Sequence, residues 1–81
     1  MKYFFVNHKG YRLNIIEMKN DGIHAKRVML TRDAGIPLVL TAQQVHDLRI
    51  TGEFADDEGA KHKAFLPSFV DAEDLIAEEI S

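Results

Sequence analysis

The strongest constraint on this chain is a pair of short turns near its start, Lys9-Gly10 and Asp21-Gly22, each flanked by aromatic and β-branched residues. Asp-Gly is a hairpin signal because both central residues of a type I′ turn need positive φ. Strands are therefore predicted at Lys2–Val6, Tyr11–Met18 and Ile23–Thr31. A two-residue loop at Asp21-Gly22 sets Ile15 opposite Val28, Leu13 opposite Leu30 and Glu17 opposite Lys26. A loop at Lys9-Gly10 sets Val6 opposite Leu13, Phe4 opposite Ile15 and Lys2 opposite Glu17. The two registers agree on one apolar face, Phe4, Val6, Leu13, Ile15, Val28 and Leu30. A slip of one position in either hairpin would have turned those side chains outward.

The same registers define a second face. It carries Tyr3, Phe5, Arg12, Asn14, Ile16, Met18, Arg27 and Met29. A solvated strand face is normally polar, whereas this one is half apolar. Phe54, Phe65 and Phe69 from later in the chain could roof it. Otherwise it is an interaction face, because aromatics, Met and Arg are enriched in interface cores. Aromatics with arginines also suit stacking and phosphate contact on a single strand of nucleic acid.

Beyond Thr31 the pattern changes. Pro37–Leu40 reads as a short fourth strand, placed at an edge because proline lacks a backbone donor. Thr41 and Gln44 have the spacing of a capping box before a helix over residues 42–50, closed by Gly52. Residues 53–67 admit two readings. One is a loose hairpin of Glu53–Ala55 and Lys61–Leu66 around Asp56-Asp57-Glu58-Gly59; the other is a long loop. Asp71 is placed as the cap of a last helix, Ala72–Ile80, whose apolar face is Leu75, Ile76 and Ile80 with Ala72. The expected fold is thus a single α+β domain over residues 1–81. It comprises a three- to four-stranded antiparallel β-meander and two α-helices, with the C-terminal helix packed on the sheet.

With 81 residues the chain has room for one core. It has no cysteine, which removes disulfides, thiolate metal sites and Cys nucleophiles, and suits a cytoplasmic setting. No apolar run approaches the roughly 20 residues needed to cross a bilayer. Charge is divided unevenly. Residues 1–32 hold seven basic and two acidic side chains, and residues 33–81 hold three basic and eleven acidic ones. Asp56, Asp57, Glu58, Glu73, Asp74, Glu78 and Glu79 form the acidic surface expected from this division. Either the two halves neutralise each other, or the acids imitate a phosphate backbone and occupy a basic partner.

Motifs for chemistry are missing. His8, His24, His46 and His62 lie far apart in sequence, without the close spacing of a local metal motif. Ser68 lacks the glycines of a nucleophile elbow, and the five glycines are scattered rather than gathered into a phosphate loop. The sequence therefore leads to a non-enzymatic interaction or regulatory module without metal or cofactor. Its partner is another protein or a second copy, and a nucleic-acid-linked role is the alternative.

Overall fold

Both turns have the backbone that the sequence demands. In the computed structural model, which describes residues 1–81, Lys9 and Asp21 have φ of 46° and 48°, and Gly10 and Gly22 follow at 83° and 80°. They join β1 (Tyr3–His8), β2 (Tyr11–Asn20) and β3 (Ile23–Thr31). The β2–β3 register runs unbroken from Arg12 opposite Thr31 to Asn20 opposite Ile23, and includes all three expected pairs. Val6, Leu13 and Val28 are buried, and Phe4, Ile15 and Leu30 pack against them.

The first hairpin departs from expectation after two pairs. Asn7 faces Arg12 and His8 faces Tyr11 in the expected register, but the strands then diverge. The segment that sequence placed at an edge enters the gap. β4 (Ile36–Pro37) pairs with β2, with Pro37 opposite Asn14, and Leu38 donates its N–H to the Leu13 carbonyl. β5 (Leu40–Thr41) then pairs with β1, with Leu40 opposite Phe4. Burying Leu38 and Leu40, at 6% and 1% exposure, drives the wedge. The backbone groups of β1 and β2 find partners in it instead of in each other. Lys2 accordingly lies beside Glu79 at 3.3 Å, and Glu17 bonds His24.

The helix α1 (Ala42–Thr51) begins with the expected capping box and ends on Gly52 in the left-handed region. Val45 and Leu48 are its buried residues. It leads into β6 (Glu53–Ala55) and β7 (Lys61–Phe65), so the hairpin reading of that region holds, with Glu53 opposite Lys63. β7 also runs parallel to β3, setting Ala64 beside Val28 and Phe65 beside Met29.

The second helix does not form. Only a 3-10 turn, Ala72–Asp74, follows Asp71, which makes no side-chain cap bond. Leu75 is extended, and β8 (Ile76–Glu79) pairs antiparallel along the outer edge of β1. A helix there would have carried Glu78 and Glu79 at its negative end. The strand instead supplies partners to the open edge of β1. Leu75 alone of the expected apolar face is buried, and Ile76 is 65% exposed. The result is an α+β fold with a mostly antiparallel sheet of eight short and long strands and one α-helix. The helix is not long or apolar enough to cross a membrane.

Candidate functional site

Alternation along β1 and β8 brings the two charge groups of the sequence together. Phe5 faces Glu78 and Asn7 faces Ile76, so these four side chains share the second face of the sheet. The Arg12 guanidinium sits over the Phe5 ring, 4.1 Å from its centroid. Its Nε donates to Asn7 Oδ1 at 2.9 Å and its Nη2 to Glu78 Oε1 at 3.0 Å. Asn7 Nδ2 donates to the same carboxylate oxygen at 2.6 Å. Arg12, assigned to the interaction face, and Glu78, assigned to the acidic surface, are therefore partners. Glu79 is similarly engaged by Lys2, whereas Asp57, Glu58, Glu73 and Asp74 make no ion pair.

The three phenylalanines do not roof this face. Phe54 is in the core on the other side, 5% exposed and stacked on His62. Phe69 is 84% exposed. Phe65 extends the face beside Met29, with the Arg27 guanidinium 5.0 Å from its ring centroid. Part of the face is covered by the Arg32–Gly35 loop instead, since a Cβ on Gly35 would approach Ile16 Cδ1 and Asn14 Cβ. Asn14 is buried, with Nδ2 donating to Thr31 Oγ1 at 2.6 Å and Oδ1 unpartnered.

The outer half of the β2–β3 hairpin is a separate feature. Every residue from Glu17 to Arg27 is exposed, because β4 ends its pairing at Ile15 and β7 begins at Val28. This arm is two-sided. Glu17, Lys19, His24 and Lys26 point to the first face, and Met18, Asn20, Ile23, Ala25 and Arg27 to the second. Toward the core the first face is apolar, yet in the arm, with no core beneath it, that face is wholly polar. The second face keeps Met18, Ile23 and Ala25 exposed between Asn20 and Arg27, and Ile23 is 70% exposed. Phe5, Met18, Arg27 and Met29 thus keep their second-face direction, while Asn14 is withdrawn from the surface, Ile16 lies against the Arg32–Gly35 loop, and Tyr3 lines a cavity with Ile15, Val28 and Phe54. Ile23, Phe65 and Ile76 join them. Ile23 was legible from alternation alone; Phe65 and Ile76 depended on strand pairings between distant segments.

No protein-family model, curated protein or solved structure gives a significant match to the chain.

No three histidine, cysteine or carboxylate side chains converge in a group that could hold a metal ion. Asp56 organises its own turn. Its Oδ1 accepts from the backbone N–H groups of Glu58 and Ala60, both at 2.9 Å, and its Oδ2 lies 2.8 Å from His62 Nε2. The His62 hydrogen bond, followed by the Ala60 amide, holds its carboxyl below the usual aspartate value. A depressed carboxylate pKa stabilises the fold above the unfolded value of about 3.9 and ceases to do so as pH falls through the folded one. Hydrogen exchange of the Glu58 and Ala60 amides is therefore expected to quicken only on acidification below roughly pH 4, apart from the intrinsic pH dependence of exchange. In Asp56→Asn, both amides should exchange faster already at neutral pH. Unchanged protection in that variant would remove this role.

Proposed function

We propose that the chain is a non-enzymatic interaction module that joins a second copy of itself through the second face of its sheet, with the β2–β3 arm at the centre. The observation that carries this reading is the arm's sidedness. A two-stranded ribbon standing clear of its own core has no internal reason to keep Met18, Ile23 and Ala25 on one side.

A second copy suits the arm's charges. If two arms cross antiparallel by their apolar sides, the base of each lies against the tip of the other. Arg27 of one copy then approaches Asp21 at the turn of its partner, and two-fold symmetry repeats the contact. The polar sides remain in water. The sheet beyond the arm adds Phe5, Met29 and Phe65 to the same surface.

Sedimentation of the protein over a concentration series is expected to show a monomer–dimer equilibrium. Ile23→Lys should weaken it by at least about tenfold, corresponding to loss of roughly 1.4 kcal/mol or more, without lowering the monomer's melting temperature. Arg27→Asp and Asp21→Arg should each weaken it and, combined, restore it in part. A monomer at all concentrations would reject self-association; a different protein held by the wild type but not by Ile23→Lys would transfer the surface to that partner.

The nucleic-acid reading is favoured by a narrower observation. Arg27 stacks over Phe65 and has no carboxylate partner, and Lys63 precedes Phe65 by two positions on β7. Single-strand binding that weakens with salt and is lost in Arg27→Ala would support that reading. The Arg12–Glu78 pair argues against it, because Arg12 is already neutralised.

A further inference from the structure

An open polar cleft of about 500 Å³ lies between the β1–β2 turn, β8 and the Arg32–Gly35 loop. Four charged side chains line it: Arg12, Arg32, Asp33 and Glu78. Arg12 and Glu78 satisfy each other, as described above. Arg32 and Asp33 make no ion pair. The Arg32 guanidinium is held over the Tyr11 ring, 4.8 Å from its centroid, so its position is set while its N–H groups remain available. The cleft therefore offers one free cation and one free anion.

Asn14 supplies a second, independent sign. Its side chain lies in the wall of this cleft, only 5% exposed, and its Oδ1 has no hydrogen-bond partner. The amide orientation is set by its neighbours. The Thr31 hydroxyl donates to the Ala34 carbonyl at 2.6 Å, so it can only accept from Asn14 Nδ2. That leaves the orphan oxygen facing away from Thr31. A buried acceptor without a donor is destabilising, which marks this wall as one short of a hydrogen-bond donor.

We propose that this cleft binds a small zwitterion of the free α-amino acid class. The carboxylate pairs with the Arg32 guanidinium, whose planar fork matches it. The ammonium pairs with the Asp33 carboxylate, which has no partner, at the wall of the cleft where Asn14 Oδ1 also lacks a donor. A simple anion would satisfy Arg32 alone and be repelled by Asp33. A simple cation would leave Arg32 unused. The site is distinct from the apolar arm, so its occupancy is testable whatever the arm binds.

The test is ¹⁵N-detected titration of the full chain with glycine, L-alanine and L-glutamine, and with acetate, glycinamide and inorganic phosphate as controls. The amino acids are expected to shift the Asn14 side-chain amide and the Arg32 Nε–H signals saturably. Arg32→Ala, an exposed substitution that leaves the core intact, should weaken binding about tenfold or more. Asp33→Asn should weaken it as well. Acetate, glycinamide and phosphate should produce no saturable change at these groups. Equal response to acetate or phosphate would reduce the cleft to an anion site and overturn the proposal. Absence of a saturable shift with all three amino acids would overturn it equally.

Discussion

Leu13→Ala is expected to lower the stability of this domain by about 2–5 kcal/mol, the range for emptying a fully buried leucine site. Leu13 is 0% exposed and stands where three parts of the chain meet. It faces Leu30 across the β2–β3 ladder, and its carbonyl accepts from Leu38 in the inserted segment. The cavity would open beneath the wedge as well as within the hairpin, so neither neighbour can collapse into it without breaking backbone pairing. In a domain this size each kcal/mol corresponds to roughly 4–8 °C in melting temperature. Thermal or urea unfolding measures the loss directly. A cost under about 1 kcal/mol would mean that Leu13 is not at the junction described. Ile23→Ala, in the exposed arm, is the contrast, and its melting temperature should stay close to that of the wild type.

Gly35→Ala is expected to be nearly as damaging, at about 2–4 kcal/mol, for a different reason. Gly35 has φ of +88°, where an L side chain is strained. The added Cβ would also fall 2.6 Å from the Ile15 carbonyl oxygen, which belongs to a strand and cannot rotate away. The chain has two responses. It can shift the Arg32–Pro37 segment outward, weakening β4 pairing at Asn14 and Ile15, or it can hold the strain. Either response lowers the melting temperature, and the first would also quicken amide exchange around Ile36 and Leu38. Gly10→Ala has open space for its methyl group, so its cost should come from the left-handed backbone alone, about 1–2 kcal/mol. Equal effects at the two glycines would show that the close approach at Gly35 is not what matters.

These two residues mark where sequence reading succeeds and where it stops. Leu13 belongs to the core by alternation and by the Asp21-Gly22 turn, which sets it opposite Leu30. Gly35 sat in a connecting turn with no sign that it would press against Ile15. Its importance follows from the wedge, which arises because Leu38 and Leu40 are buried between two diverging strands. The C-terminal segment teaches the same lesson. Leu75, Ile76 and Ile80 are compatible with one face of a helix, and only the unpaired edge of β1 decided that Ile76–Glu79 would be a strand. Local spacing cannot report which distant backbone groups lack partners.

The candidate surface was legible in the same partial way. Phe5, Met18, Arg27 and Met29 could be read from register, because side-chain direction in a strand has a strict period of two. The Arg12–Asn7–Glu78 network, the neighbouring Phe65 and the burial of Asn14 could not, since each joins segments far apart in sequence. By itself, the sequence determined the two turns, the β2–β3 register, the capped helix and the sidedness of that hairpin, because these depend on turn backbone, cap chemistry and alternation between near neighbours. Tertiary structure alone decided the wedge, the final strand and the cleft beside it. Those depend on where buried leucines and open strand edges find space and hydrogen bonds in three dimensions.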